Sequence, residues 1–404
     1  MAKGDVAMGK PPRAAGGPDG RADGRAAGRV VFAAEAIDEL IQALRRAGYQ
    51  VAGPTVRDQA IVLAEITSAA ELPWGWGVTL DAGSYRLRRR ADRAAFAHSA
   101  GPQSWKPFLH PARVRLWSTG RAGEVAPNAE EPPRYAFLGV RPCDLRAIEI
   151  QDRVLMGGRQ ADTIYASRRS RTFVVVVNCV EPGETCFCVS MGTGPGADKG
   201  YDIALTELLG DESGDESRTD GEGAGHRFVA EAGSPAGADI LAQVTHQPAD
   251  ESAVRAARDN VAAAAGRMGR TMPAADGLHE LMATTRDSPH WDEVAQRCLT
   301  CGNCTMVCPT CFCTTVEDVT DLTGEHAERW RVESSCYDID FSYLHGGSIR
   351  TSGKSRYRQW LTHKLGTWHD QFGSSGCVGC GRCIVWCPVG IDLTEEVAAL
   401  REEI

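Results

Sequence analysis

The sequence has no apolar stretch long enough to span a bilayer; its most continuous apolar run, Phe173 to Val177, has the length of a strand. It has no basic excess either. Forty-four Lys and Arg stand against 53 Asp and Glu, a formal net charge of −9, whereas a phosphate-gripping surface needs the opposite balance. That argues against a general nucleic-acid binder. Residues 1 to about 28 are mostly Gly, Ala, Pro, Arg and Asp with almost nothing to bury. They read as a disordered tail, and they lack the apolar core of an export signal. The expectation is a cytoplasmic protein with no direct membrane insertion.

What is abundant is cysteine. Fifteen thiols in 404 residues would suit a disulfide framework only in a small exported chain, and the count is odd. The thiols cluster at metal-ligand spacing instead. Cys298, Cys301, Cys304 and Cys308 precede Pro309, and Cys377, Cys380, Cys383 and Cys387 precede Pro388. Both groups read C-x2-C-x2-C-x3-C-P, the bacterial ferredoxin pattern, in which the fourth cysteine of each loop ligates the other cluster. One 4Fe-4S cluster is therefore expected on Cys298, Cys301, Cys304 and Cys387, and a second on Cys377, Cys380, Cys383 and Cys308. Gly302, Gly379 and Gly381 should let backbone N–H groups approach the sulfurs. Each proline is expected at the first position of a helix, where no donor is needed. Zinc is the alternative, but zinc sites usually close with two separated pairs of ligands.

The rest of the chain organises around these loops. Ile37, Leu40, Ile41 and Leu44 recur at helical spacing, with Gly48 as a stop. Ile61 to Leu63, Tyr135 to Val140 and Phe173 to Val177 read as strands, the last as a strand buried on both faces. The expected architecture is an α/β domain over 29–260, followed by an α-helical, bacterial-type two-cluster ferredoxin-like domain over 261–404. Residues 210–225 form an acidic, Gly/Ser-rich loop, and about Asp250 to Met268 an alanine-rich helix.

A second constellation lies in the α/β part. Cys143 and Cys179 each follow a strand, and Pro182-Gly183 would turn Cys186 and Cys188 toward them. On parallel neighbouring strands these thiols would meet at the carboxyl edge of the sheet, where α/β domains place their sites. Four sulfurs there could bind a third 4Fe-4S cluster; core thiols and zinc are the alternatives. The following MGTGPG lacks the full dinucleotide spacing and reads as a glycine-rich turn. Cys311, Cys313 and Cys336 fall outside both ferredoxin sets and read either as small buried residues or as cluster shielding. Arg350, Lys354, Arg356, Arg358 and Lys364 form a basic stretch, either a solvated helix face or a docking patch for an acidic partner.

Several segments together resemble a known family. They are GSYRLRRR from Gly83, GPQSWKPFLHP from Gly101, FLGVRPCDLRAIEIQDRV from Phe137, NCVEPGETCFCVSMGTGPG from Asn178, RCLTCGNCTMVCPTCFCTTVED from Arg297, Ser335-Cys336, and CVGCGRCIVWCPVGID from Cys377. They resemble the β subunits of soluble NAD(P)-linked nickel–iron hydrogenases, the sulfhydrogenases. The same 4Fe-4S dicluster family includes the A-type subunit of anaerobic sulfite reductase. The resemblance implies a non-catalytic subunit relaying single electrons between an FAD- and NAD(P)-binding subunit with a 2Fe-2S cluster and the small and large nickel–iron subunits. A sulfite-reductase-like complex is the alternative within the family. A free-standing redox sensor is the alternative outside it, at odds with the acidic charge.

Overall fold

The computed structural model describes residues 28–121, 123–127, 131–210, 225–273 and 275–404. The N-terminal tail expected over 1–28, but for its last residue, and most of the acidic loop expected over 210–225 lie outside them.

The four valines before Asn178 show why the first half is a covered sheet. Strand Phe173–Val177 is buried at every position. Val175 and Val177 join a core with helix Ile37–Arg46, while Val174 and Val176 join another with helix Pro142–Met156. Alternate side chains of one strand thus enter two cores, one on each face. Eight strands make the sheet, in the order Gln247–Pro248, Val30–Ala33, Arg227–Ala232, Ile203–Leu208, Phe173–Val177, Tyr135–Val140, Gln50–Arg57 and Ala60–Glu65. The four from Ile203–Leu208 to Gln50–Arg57 run parallel, and the flanking pairs are antiparallel. Tyr135–Val140 and Phe173–Val177, the strands that deliver Cys143 and Cys179, are parallel neighbours.

Helix Ile37–Arg46 stops short of Gly48, which adopts φ +85°. The alanine-rich segment is a helix over Glu251–Ala265, with the Asp250 carboxylate accepting from Ala253 N–H as its N-cap. Its Ala253 and Ala257 pack on Leu208 and Val229 of the sheet.

The C-terminal part is not wholly helical, contrary to expectation. Strands Thr314–Thr320 and Ala327–Glu333 form a hairpin, and the second pairs with Arg113–Thr119 in a separate four-stranded sheet. Alternation and β-branched residues in TTVEDVT and AERWRVE explain this, and a reading centred on cysteine spacing passes over them. Neither motif proline begins a helix. The chain runs from Pro309 toward the hairpin, and Pro388 lies in a turn before helix Leu393–Glu402. The core here is Trp291, Tyr357, Trp360, Leu361, Leu365 and Leu400, joined by Phe187 from the first half. Among the described residues, no helix is long and apolar enough to cross a membrane.

Candidate iron–sulfur centres

Each ferredoxin-type loop turns through left-handed glycines. Gly302 and Gly381 (φ +76° and +73°) open one-turn helices Asn303–Met306 and Arg382–Val385, which carry Cys304 and Cys383. Backbone N–H groups then point at sulfur, from Thr300 to Cys298 and from Gly379 to Cys377, both 3.4 Å, and from Ile391 to Cys387 at 3.3 Å. Such bonds favour the thiolate form that iron requires.

Cys298, Cys301, Cys304 and Cys387 line one cavity, together with Tyr357, Trp360 and Leu393. The four side chains come together, with Cys383 of the second loop also on the wall, and Cys301 opens the cavity to solvent. The buried Tyr357 hydroxyl and Trp360 indole N–H have no hydrogen-bond acceptor among the described residues. Both residues line this cavity, so their donors suit a sulfide-bearing guest.

The second set, Cys377, Cys380, Cys383 and Cys308, is half-buried. Burial raises the Cys377 thiol to about 12, with Cys380 and Cys308 close enough to add to the effect. Cys380 and Cys383 are pushed up chiefly by burial as well. Metal-free, these thiols hold their protons, and binding iron must expel them. Cys308 is the exception. The Cys311 thiol donates to it and outweighs burial, and with Lys364 and Thr310 holds it well below the usual thiol range. Lys364 Nζ lies 3.3 Å from Cys308 Sγ.

Cys143, Cys179, Cys186 and Cys188 do meet. They line a further cavity, and Cys380 shares its wall. Cys143 sits in the first turn of helix Pro142–Met156, whose N-terminal dipole favours a negative guest. Burial raises Cys186 to about 12. The loop bearing Cys186 and Cys188 locks onto the second ferredoxin loop, with Phe187 N–H donating to Gly379 O at 2.9 Å and Thr193 Oγ1 to Val378 O at 2.6 Å. MGTGPG, from which Thr193 comes, is a turn.

Among the described residues, no three His, Cys, Asp or Glu side chains close on a single ion. Four thiolates on zinc at about 2.3 Å would stand only about 3.8 Å apart. Two of the sets, Cys298 with Cys301, Cys304 and Cys387, and Cys143 with Cys179, Cys186 and Cys188, instead line cavities.

Some participants escaped the sequence reading. Arg382 and Asp144 form a buried two-pronged ion pair, 2.7 and 2.9 Å, between the second and third sites. Their positions beside Cys383 and Cys143 were the available signal. Lys364 is buried, not part of a solvated basic face. Its neighbours Trp360, Leu361, Leu365 and Trp368 mark that face as apolar. Lys354 pairs with Asp292, and Arg356 and Arg358 donate to the carbonyls of Tyr337 and Arg286. Cys311 is buried against Cys308, and a hydrogen bond from Cys336 lowers Cys313 to about 7.

The 4Fe-4S dicluster domain model matches residues 297–391. The β subunit of sulfhydrogenase 2 from Pyrococcus furiosus is 33 % identical over 270 residues, covering 67 % of this chain and 75 % of the relative. The chain belongs to the 4Fe-4S dicluster family, as a hydrogenase β-type subunit. No solved structure matches. As a member of that family it is an iron–sulfur electron-transfer subunit, and its dicluster region bears both ferredoxin-type loops.

Proposed function

We propose that this subunit relays single electrons through a row of three 4Fe-4S clusters in a cytoplasmic, NAD(P)-linked nickel–iron hydrogenase complex. An FAD- and NAD(P)-binding subunit with a 2Fe-2S cluster stands on one side, and the small and large nickel–iron subunits on the other. The working division is an α/β unit over 29–260 and a dicluster unit over 261–404. The chain itself contributes no catalytic step.

The ligand sets are Cys298, Cys301, Cys304 and Cys387 for the outer cluster, and Cys377, Cys380, Cys383 and Cys308 for the central one. Cys143, Cys179, Cys186 and Cys188 hold the third. The observation that carries this reading is the sharing of cavity walls. Cys383 of the central set lines the outer cavity and Cys380 lines the third, which supports a central cluster lying between its neighbours. When bound, the clusters supply one-electron redox chemistry; the protein's part is to bury them, direct N–H groups at sulfur and fix their spacing.

Iron and acid-labile sulfide content tests the row directly. About twelve irons per chain are expected, falling by about four in Cys186→Ala. About eight irons, unchanged in Cys186→Ala, would remove the third cluster. Purification of the intact complex tests the rest. Nickel with hydrogen-dependent NAD(P) reduction supports the hydrogenase assignment, and sirohaem would redirect it to a sulfite-reductase-like complex.

A further inference from the structure

The buried cation beside Cys308 goes beyond what cluster ligation requires. Helix Gly353–Thr362 continues through a π-helical turn, His363–Thr367, into helix Trp368–Phe372. Such turns are rare and are frequently found at functional sites. Lys364 lies on the inner face of this turn, 3 % exposed. Its ammonium is 3.3 Å from Cys308 Sγ, 2.9 Å from Thr310 Oγ1 and 3.3 Å from Gly376 O, and 5.0 Å from the centre of the Trp368 ring.

Among the described residues no carboxylate pairs with it. A buried cation without a counter-ion is strongly unfavourable. The other buried cation of this region, Arg382, has Asp144 as its partner. For Lys364 the anionic group within reach, among the described residues, is the thiolate set of the central site. A cluster with four thiolates gains negative charge on reduction, so a fixed cation at one ligand favours the reduced form.

We propose that Lys364 is a positioning residue for the central cluster: its ammonium is the built-in counter-ion and donor to the Cys308 thiolate, and it raises that cluster's reduction potential. This rests on the ligand assignment above. One electron enters and one leaves, and the ammonium keeps its proton throughout. The effect is local, because Thr310 follows the first loop and Gly376 precedes the second, and both hold Lys364 against Cys308.

The test uses the full chain loaded anaerobically with iron and sulfide. Wild type, Lys364→Met, Lys364→Gln and Lys364→Arg are titrated with dithionite while each reduced cluster is followed by electron paramagnetic resonance. In the Met and Gln variants one midpoint should fall, lowering the reduced-to-oxidised ratio at the wild-type midpoint at least tenfold, about 59 mV for a one-electron couple. The remaining midpoints should stay in place, and Lys364→Arg should recover most of the shift. Met and Gln variants with full iron and no midpoint moved would overturn the proposal. So would an equal shift of every cluster, or loss of about four irons in both variants, which would make Lys364 a structural tether. Wild-type chain without reducible iron would instead defeat the ligand assignment itself.

Discussion

Asp144 and Arg382 form the buried joint between the third site and the central one. Their side chains are 4 % and 7 % exposed, and both guanidinium nitrogens are matched to both carboxylate oxygens. Arg382 Nε donates to Gln103 O at 3.1 Å. Replacing Asp144 by Leu strands a charged guanidinium with two donors unmatched, a change that costs about 3–5 kcal/mol in buried pairs. Arg382→Met strands the carboxylate at similar cost. Replacing both removes the stranded charge, so the double variant should lose at least ~2 kcal/mol less than the two singles summed. A cofactor-bearing chain of this size need not unfold in one step. Native-state amide exchange, read locally on 142–156 and 377–387, gives the opening free energies. Single variants within about 1 kcal/mol of wild type, or a double variant equal to the sum of the singles, would refute the claim that the pair is a coupled, desolvated joint.

Two further substitutions probe other parts of the same region. Gly379 adopts φ +68°, and a Cβ there would sit 2.6 to 2.7 Å from backbone atoms of Cys188 and Phe187. Because backbone cannot swing aside, Gly379→Ala should separate the two loops and lower iron content at both the central and third sites; full iron loading would contradict this. His110 is 4 % exposed, and burial, with Arg331 beside it, pushes it down to about 4. The folded chain keeps it neutral while the unfolded chain protonates it below about 6.5. Its contribution is therefore full above about 6.5 and is lost as pH falls toward 4, by roughly 1.4 kcal/mol per unit. The urea midpoint of wild type should fall relative to that of His110→Phe as pH drops from 7 to 5. A constant difference between them would count against a neutral buried imidazole.

Local pattern made much of this molecule readable. Two loops of identical spacing announce their chemistry because a cage constrains the chain over eleven residues. Tyr135 to Val140 and Phe173 to Val177 were legible to the residue, since burial on both faces leaves an unbroken apolar run. The meeting of Cys143, Cys179, Cys186 and Cys188 followed from two strand ends and a turn. The hairpin over 314–333 did not emerge, because cysteine spacing dominated the reading of that stretch. Lys364 was misplaced for a different reason. Sequence groups it with Arg350, Lys354, Arg356 and Arg358 as one more positive charge, whereas Lys364 shares its buried helical face with Trp360 and Trp368. Asp144 and Arg382 are 238 positions apart, and no local pattern pairs them.

The three proposed cluster sites would differ in how their charge is compensated, and that follows from where the chain puts their cysteines. The outer cavity reaches solvent at Cys301, so water can answer a change in its charge. The proposed central set is only half-exposed; the Cys186–Cys188 loop is hydrogen-bonded to its second loop and Lys364 of the π-turn lies against Cys308. Charge entering a desolvated cage must be met by fixed groups already aimed at it. The Arg382 guanidinium is largely spent on Asp144, which leaves Lys364 as the cation able to respond. Burial and compensation therefore share one run of chain: Trp360 of helix Gly353–Thr362, Lys364 of the π-turn and Trp368 of the helix that follows are all buried, and Lys364 brings its ammonium to Cys308.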